Sequence, residues 1–158
     1  MLSIDGTAYS TRFVPASEPG GRQMRITLDG RFHRGREVYR DFRIGQLLGS
    51  PLPQDAIGAT TLIVNFFDGG PKTKVEFRLG DGPARPMTRE SRPDPYIEEL
   101  YGRNAASMKP WVSPLPSSHL WTARLPRDIP VGATTIAVRV VDEYGREHLD
   151  HLVLEVTS

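Results

Sequence analysis

The sequence predicts an all-β fold: an immunoglobulin-like or fibronectin-type-III-like β-sandwich of roughly seven strands with one short inserted helix. Three observations carry this. Ile136, Val138 and Val140 alternate with Thr135, Ala137 and Arg139, and Leu152, Leu154 and Val156 resume the alternation. Between the two runs stands Asp142-Glu143-Tyr144-Gly145, a turn in which Gly145 is free to take a positive φ, so the unit reads as a β-hairpin. A further strand precedes it across a Pro/Gly linker, with Trp121, Ala123 and Leu125 on one face. Finally, 15 glycines and 14 prolines in 158 residues punctuate the chain into short strands and disfavour long helices.

In chain order, Tyr9, Thr11 and Phe13 alternate with Ser10, Arg12 and Val14, so residues 7–14 read as a first strand. The segment from Pro15 to Gly21 turns, and Met24, Ile26 and Leu28 form a second strand ending at Asp29-Gly30. Residues 31–58 read as a long excursion with one short strand around Val38 to Phe42. Thr60 to Phe67 is strongly β-prone, with Leu62, Val64 and Phe66 facing the core and Ile63 and Phe67 covered as well. Asp68-Gly69-Gly70-Pro71 is a loop signal. Val75, Phe77 and Leu79 then point inward while Lys74, Glu76 and Arg78 point outward, and Pro86 to Thr88 makes a short return strand. Asp94 can cap a helix with Pro95 at its first position, Gly102 stops it, and Ile97, Leu100 and Tyr101 anchor it to the sandwich. Residues 103–118 are a Pro- and Ser-rich loop containing Trp111. The chain thus reads as a single domain, residues 1–158, with an inserted helix and loop at about 92–118.

Bulk properties bound the function. The formal net charge is +1, from 20 basic and 19 acidic side chains, so nothing draws the chain electrostatically to nucleic acid or to an anionic membrane. The absence of cysteine excludes disulfides, thiolate metal sites and a cysteine nucleophile. No apolar run approaches the roughly 20 residues that span a bilayer. The first ten residues lack the basic and apolar regions of an export signal. The chain would remain in the cytosol unless it is a piece of a longer protein whose signal lies upstream.

Catalytic patterns are missing. His148 and His151 are three apart on a strand and point to opposite faces, while His148 and Asp150 share a face without a third ligand. The D-G pairs at Asp5, Asp29, Asp68 and Asp81 are turns and lack calcium-loop spacing. No serine lies in G-x-S-x-G, and Ser117, Ser118 and His119 are contiguous, so they alternate sides rather than converge. Gly69-Gly70 precedes a proline, not a helix, and cradles no phosphate. The aromatics offer more. Tyr96, Trp111 and His119 lie in or beside the insertion and form a candidate interaction surface. Trp121 alternates with Ala123 and Leu125 and so fills the core. Trp111 has two readings: a binding platform, since loops carry binding residues, or a pin holding a long loop down.

The order of motifs resembles the C-terminal domain that follows the catalytic domain in a group of bacterial calcineurin-like metallophosphoesterases. The matching stretches are Y-S-T-R-F-V-P-A at 9–16, Q-M-R-I at 23–26, V-N-F-F-D-G-G-P-K-T-K-V-E-F-R-L-G at 64–80, R-P-D-P-Y at 92–96, K-P-W-V at 109–112, S-S-H-L-W-T-A-R-L-P at 117–126 and V-R-V-V-D-E-Y-G-R at 138–146. The resemblance covers nearly the whole chain. It implies a non-catalytic accessory domain that packs on a catalytic phosphoesterase domain in the same parent chain and helps shape its substrate cleft. It also implies two divalent metals in that catalytic domain, none in this chain, and a parent that is exported. The phosphoesterase motifs D-x-H, G-N-H-[DE] and G-H-x-H are absent, and neither Asn65 nor Asn104 is followed by His, so no catalytic residue carries over. The alternative is a carbohydrate or cell-envelope binding module that uses the loop aromatics. Neither reading involves nucleic acid or a membrane.

Overall fold

A computed structural model describes residues 2–14, 21–34, 37–43 and 51–158. The chain opens with a ribbon of two antiparallel strands, β1 (Leu2–Asp5) and β2 (Ala8–Thr11). Gly6 supplies the positive φ, +60°, that a tight hairpin with glycine at its first central position needs. The first expected strand, residues 7–14, is therefore the shorter second half of a hairpin. Its other half went unread because Leu2 and Ile4 are too few to show a period.

β3 (Met24–Arg34) and β4 (Glu37–Arg43) form an antiparallel pair from Leu28↔Arg43 to Arg34↔Glu37. The second strand thus runs through Asp29-Gly30 instead of ending there. The short strand foreseen around Val38 to Phe42 exists, but as the return arm of this hairpin and not as part of an excursion. The rest of that excursion includes residues 44–50, which lie outside the described residues. β5 (Leu52–Pro53) runs into a 3-10 turn, Gln54–Ala59, which buries Ala56 and Ile57.

β6 (Thr61–Phe66) is the centre of the first sheet and β7 (Lys74–Leu79) belongs to the second. The short return strand, β8 (Arg85–Pro86), pairs with β7. Met87 is then the pivot: it is buried, its amide donates to Val75 O at 2.9 Å, and the chain crosses to the first sheet as β9 (Thr88–Pro93). The inserted helix α1 (Pro95–Arg103) follows, then β10 (Pro116–Arg124), β11 (Gly132–Val141) and β12 (Glu147–Thr157). Strands β9 and β10 extend into the expected insertion from both sides.

The first sheet has the order β4-β3-β6-β10-β9 and the second β5-β12-β11-β7-β8. The expected seven strands are thus exceeded: ten described strands build the two sheets. The extra ones are mostly two-residue pieces or the Arg-rich arm of β4, too short or too polar to betray a β period. Between the sheets lies the core. Met24, Ile26, Leu28, Leu62, Val64, Phe66 and Trp121 come from the first sheet; Val75, Phe77, Ile136, Val138, Val140, Leu152, Leu154 and Val156 come from the second. The period-two reading of these strands holds throughout, and Trp121, 2% exposed, is a core residue as its spacing predicted. The loop after β6 closes on this tryptophan. A Cβ added to Gly69 would lie 2.5 Å from the Trp121 Cη2 atom, so glycine is what lets the loop approach the ring.

The first sheet is buried on its outer face as well. Thr27, Ile63 and Leu120 sit one residue out of phase with the core positions, yet each is at most 2% exposed. The helix α1 lies against β3 and β4.

Candidate interaction surface

The insertion is fixed to the outer face of the first sheet by charge, not by the apolar anchors that the sequence suggests. Asp94, 3% exposed, caps α1: its Oδ1 accepts from the Tyr96 amide at 2.9 Å. Its Oδ2 accepts from Asn65 Nδ2 at 2.5 Å on β6 and from the Arg25 guanidinium on β3. One carboxylate therefore both starts the helix and ties it to two strands. Such charge-assisted contacts at a dry site are stronger than neutral hydrogen bonds. A second tie, Arg92 to Asp29 at 3.0 Å, joins β9 to β3. Leu100, expected to anchor the helix, is 41% exposed instead, and Ile97 and Tyr101 are only half-buried. Gly102 does not stop the helix: it lies within it without a positive φ, and Asn104 ends it, with its side-chain Nδ2 donating to Leu100 O at 2.7 Å.

The three aromatic candidates occupy different environments. Tyr96 is half-buried, with the Arg25 guanidinium 3.9 Å from its ring centroid, so it completes the anchor around Asp94. Trp111 is 75% exposed, with Lys109 Nζ 5.1 Å from its ring centroid. Three quarters of its surface faces solvent. Leu115 and Val112, at 78% and 41% exposed, accompany it in the same loop. His119 is half-buried at the irregularity between Ser117 and Leu120 where β10 slips against β9. Its amide donates to Ser117 Oγ at 3.2 Å, and its Nδ1 is buried without a hydrogen-bond partner among the described residues. No ring contact links the three among the described residues.

A separate polar knot forms at the β11–β12 turn. Asp142 is buried; its Oδ1 accepts from the amides of Tyr144 and Arg146, both at 2.9 Å, and its Oδ2 from Arg146 Nε at 2.5 Å. His148 Nε2 lies 3.3 Å from the same oxygen, and its ring packs on Phe66 with centroids 5.0 Å apart. Burial pushes the Asp142 carboxyl up, but the Arg146 amide and guanidinium, with His148 and the Tyr144 amide, outweigh it and hold the group below the usual carboxylate range. The sequence marked Asp142 only as a turn residue. Its spacing to Arg146 and His148, in a turn closed by Gly145 at φ +80°, was the available signal.

The side chains of this knot are engaged with one another and not with a metal site. Asp142 and His148 are used by each other and by Arg146, and His151 is directed away from His148. No group of three or more His, Asp or Glu side chains is placed to hold a metal ion among the described residues.

A family match covers residues 1–148, up to the first two residues of β12, and the family is described as the C terminal of calcineurin-like phosphoesterase. The chain belongs to this family. It is a C-terminal, non-catalytic accessory domain of the phosphoesterase family, as its motifs implied. No match was found among curated proteins or solved structures. Within this accessory domain, the insertion and the polar knot lie on different elements, and their roles separate accordingly.

Proposed function

We propose that this chain is a single immunoglobulin-like or fibronectin-type-III-like accessory domain that packs on a calcineurin-like catalytic domain of the same parent chain. Its insertion then forms part of one wall of the substrate cleft. The observation that carries this reading is Trp111. A tryptophan three-quarters exposed, with the exposed Leu115 and Val112 in the same loop, follows a helix that is itself tied down by Asp94. Apolar groups exposed together in one loop suit a partner more than solvent. Tyr96 supports the anchor of that helix, and His119 offers a buried ring nitrogen whose hydrogen-bonding capacity is unused within the described residues. The catalytic domain would supply both metals and all bond-breaking chemistry; this chain would supply position and shape.

The test is catalysis by the whole parent enzyme. Trp111→Ala should raise KM or lower kcat by roughly tenfold while leaving the domain folded, the scale expected when one buried aromatic contact of ~1.4 kcal/mol is lost. Unchanged kinetics would rule out the cleft-wall role. The same exposed Trp111, with Lys109 over its ring, also favours a second reading, a carbohydrate or cell-envelope binding module. Retention of the chain on a polysaccharide affinity gel, lost in Trp111→Ala, would support that reading over the first.

A further inference from the structure

The ribbon β1–β2 has two unlike faces. Paired residues of an antiparallel ribbon share a face. Ile4↔Tyr9 and Leu2↔Thr11 therefore form one side, and Ser3↔Ser10 and Asp5↔Ala8 the other. The first side is apolar and open: Leu2, Ile4 and Tyr9 are 60, 70 and 67% exposed. A lone two-stranded ribbon is marginal in water, and burying an apolar face is what ordinarily stabilises it. Its root is nonetheless held firmly. The Arg146 guanidinium donates to Thr11 O at 2.7 Å, Thr11 Oγ1 and the Tyr144 hydroxyl are 3.1 Å apart, and Phe13 packs on Phe67 with centroids 5.1 Å apart. The ribbon is thus aimed by the β11–β12 turn, and so by the Asp142 knot, while Leu2, Ile4 and Tyr9 on its apolar side stay mostly exposed.

We propose that this apolar side is the seat of the preceding catalytic domain, covered by an apolar patch of that domain. The occupant follows from chain order. In a family described as the C terminal of calcineurin-like phosphoesterase, the part of the phosphoesterase that precedes it in sequence joins on the β1 side, so the ribbon is the element next to that covalent connection. The inference rests on the interdomain packing proposed above and adds which surface makes it: the ribbon bears the contact, and the insertion faces the cleft.

Hydrogen exchange tests it, on the full-length protein with its catalytic domain and on the 158-residue chain alone, each as wild type and as I4D/Y9D. Both substituted side chains are exposed, so the two sheets should be untouched, and unchanged slow exchange in β6 and β11 verifies this. The expected result is exchange in residues 2–11 at least tenfold slower in the full-length protein, with the slowing abolished by I4D/Y9D. Equal ribbon exchange in both proteins, with residues 95–112 slowed in the full-length one, would overturn the ribbon assignment and leave interdomain packing standing. Equal exchange everywhere would overturn both. Ribbon protection that grows with the concentration of the 158-residue chain alone, and needs no catalytic domain, would assign the face to a second copy and overturn the proposal.

Discussion

The two faces of the first sheet are buried by different means. Its inner face meets the second sheet through Met24, Ile26, Leu28, Leu62, Val64, Phe66 and Trp121, apolar throughout. Its outer face lies beneath the insertion and mixes Ile63 and Leu120 with Thr27, Asp29, Asn65 and Arg25, closed by Asp94 and Arg92 from above. An apolar layer spreads its stability over many contacts and is intolerant of holes. A layer pinned by single carboxylates is the reverse: one atom's loss unties it, while the sheets below stay intact.

Substitutions can break this contrast in graded steps. Trp121→Ala, which empties the largest inner-face site, should destabilise the domain by about 3–5 kcal/mol and lower the melting temperature and the urea midpoint together. Asp142→Asn, at the polar knot beside the inner layer, should cost roughly 2–3 kcal/mol, since Arg146 and His148 lose their charged partner. It should also alter the pH profile. The folded pKa of Asp142 is depressed, so its contribution is complete above the unfolded value of about 4 and is lost as pH falls through the folded one. Denaturation midpoints measured from pH 6 to pH 2 should therefore fall more steeply for wild type than for the variant. Asp94→Ala should cost about 2 kcal/mol, by loss of the cap and of both strand ties. Its effect should be local: faster amide exchange across α1, with β6 and β11 still protected. Trp111→Ala should change stability by less than about 0.5 kcal/mol, since its ring is mostly in water. A large loss of stability from Trp111→Ala, or a global one from Asp94→Ala, would erase the distinction between the layers.

The same contrast governs what the sequence reveals. Inner-face positions recur every second residue in β6, β7, β11 and β12, and the period is visible without a structure. Asp94 was legible as a cap because capping is local. Its ties to Arg25 and Asn65 were not, because they join residues 69 and 29 positions apart and leave no periodic trace. The ribbon had a signal, Asp5-Gly6 between Ile4 and Tyr9, but strands of four residues barely establish a period. The aromatic candidates were found by residue type alone. Type does not distinguish Tyr96, lodged under Arg25, from Trp111, standing in solvent.

The placement of β11 and β12 at the end of the chain bears on the order of synthesis. The described strands of the first sheet all precede residue 125, whereas the second sheet lacks its two longest described strands until the last 27 residues emerge, from Gly132 to Ser158. Until then, the first sheet presents Leu62, Val64, Phe66 and Trp121 with only the short β5, β7 and β8 of the second sheet to face them. A ribosome-bound or prematurely terminated chain would thus carry half of a core with an open apolar face. Chains cut before Gly132 should depend on chaperones and aggregate when released, while chains that include β11 and β12 close the face with one local hairpin.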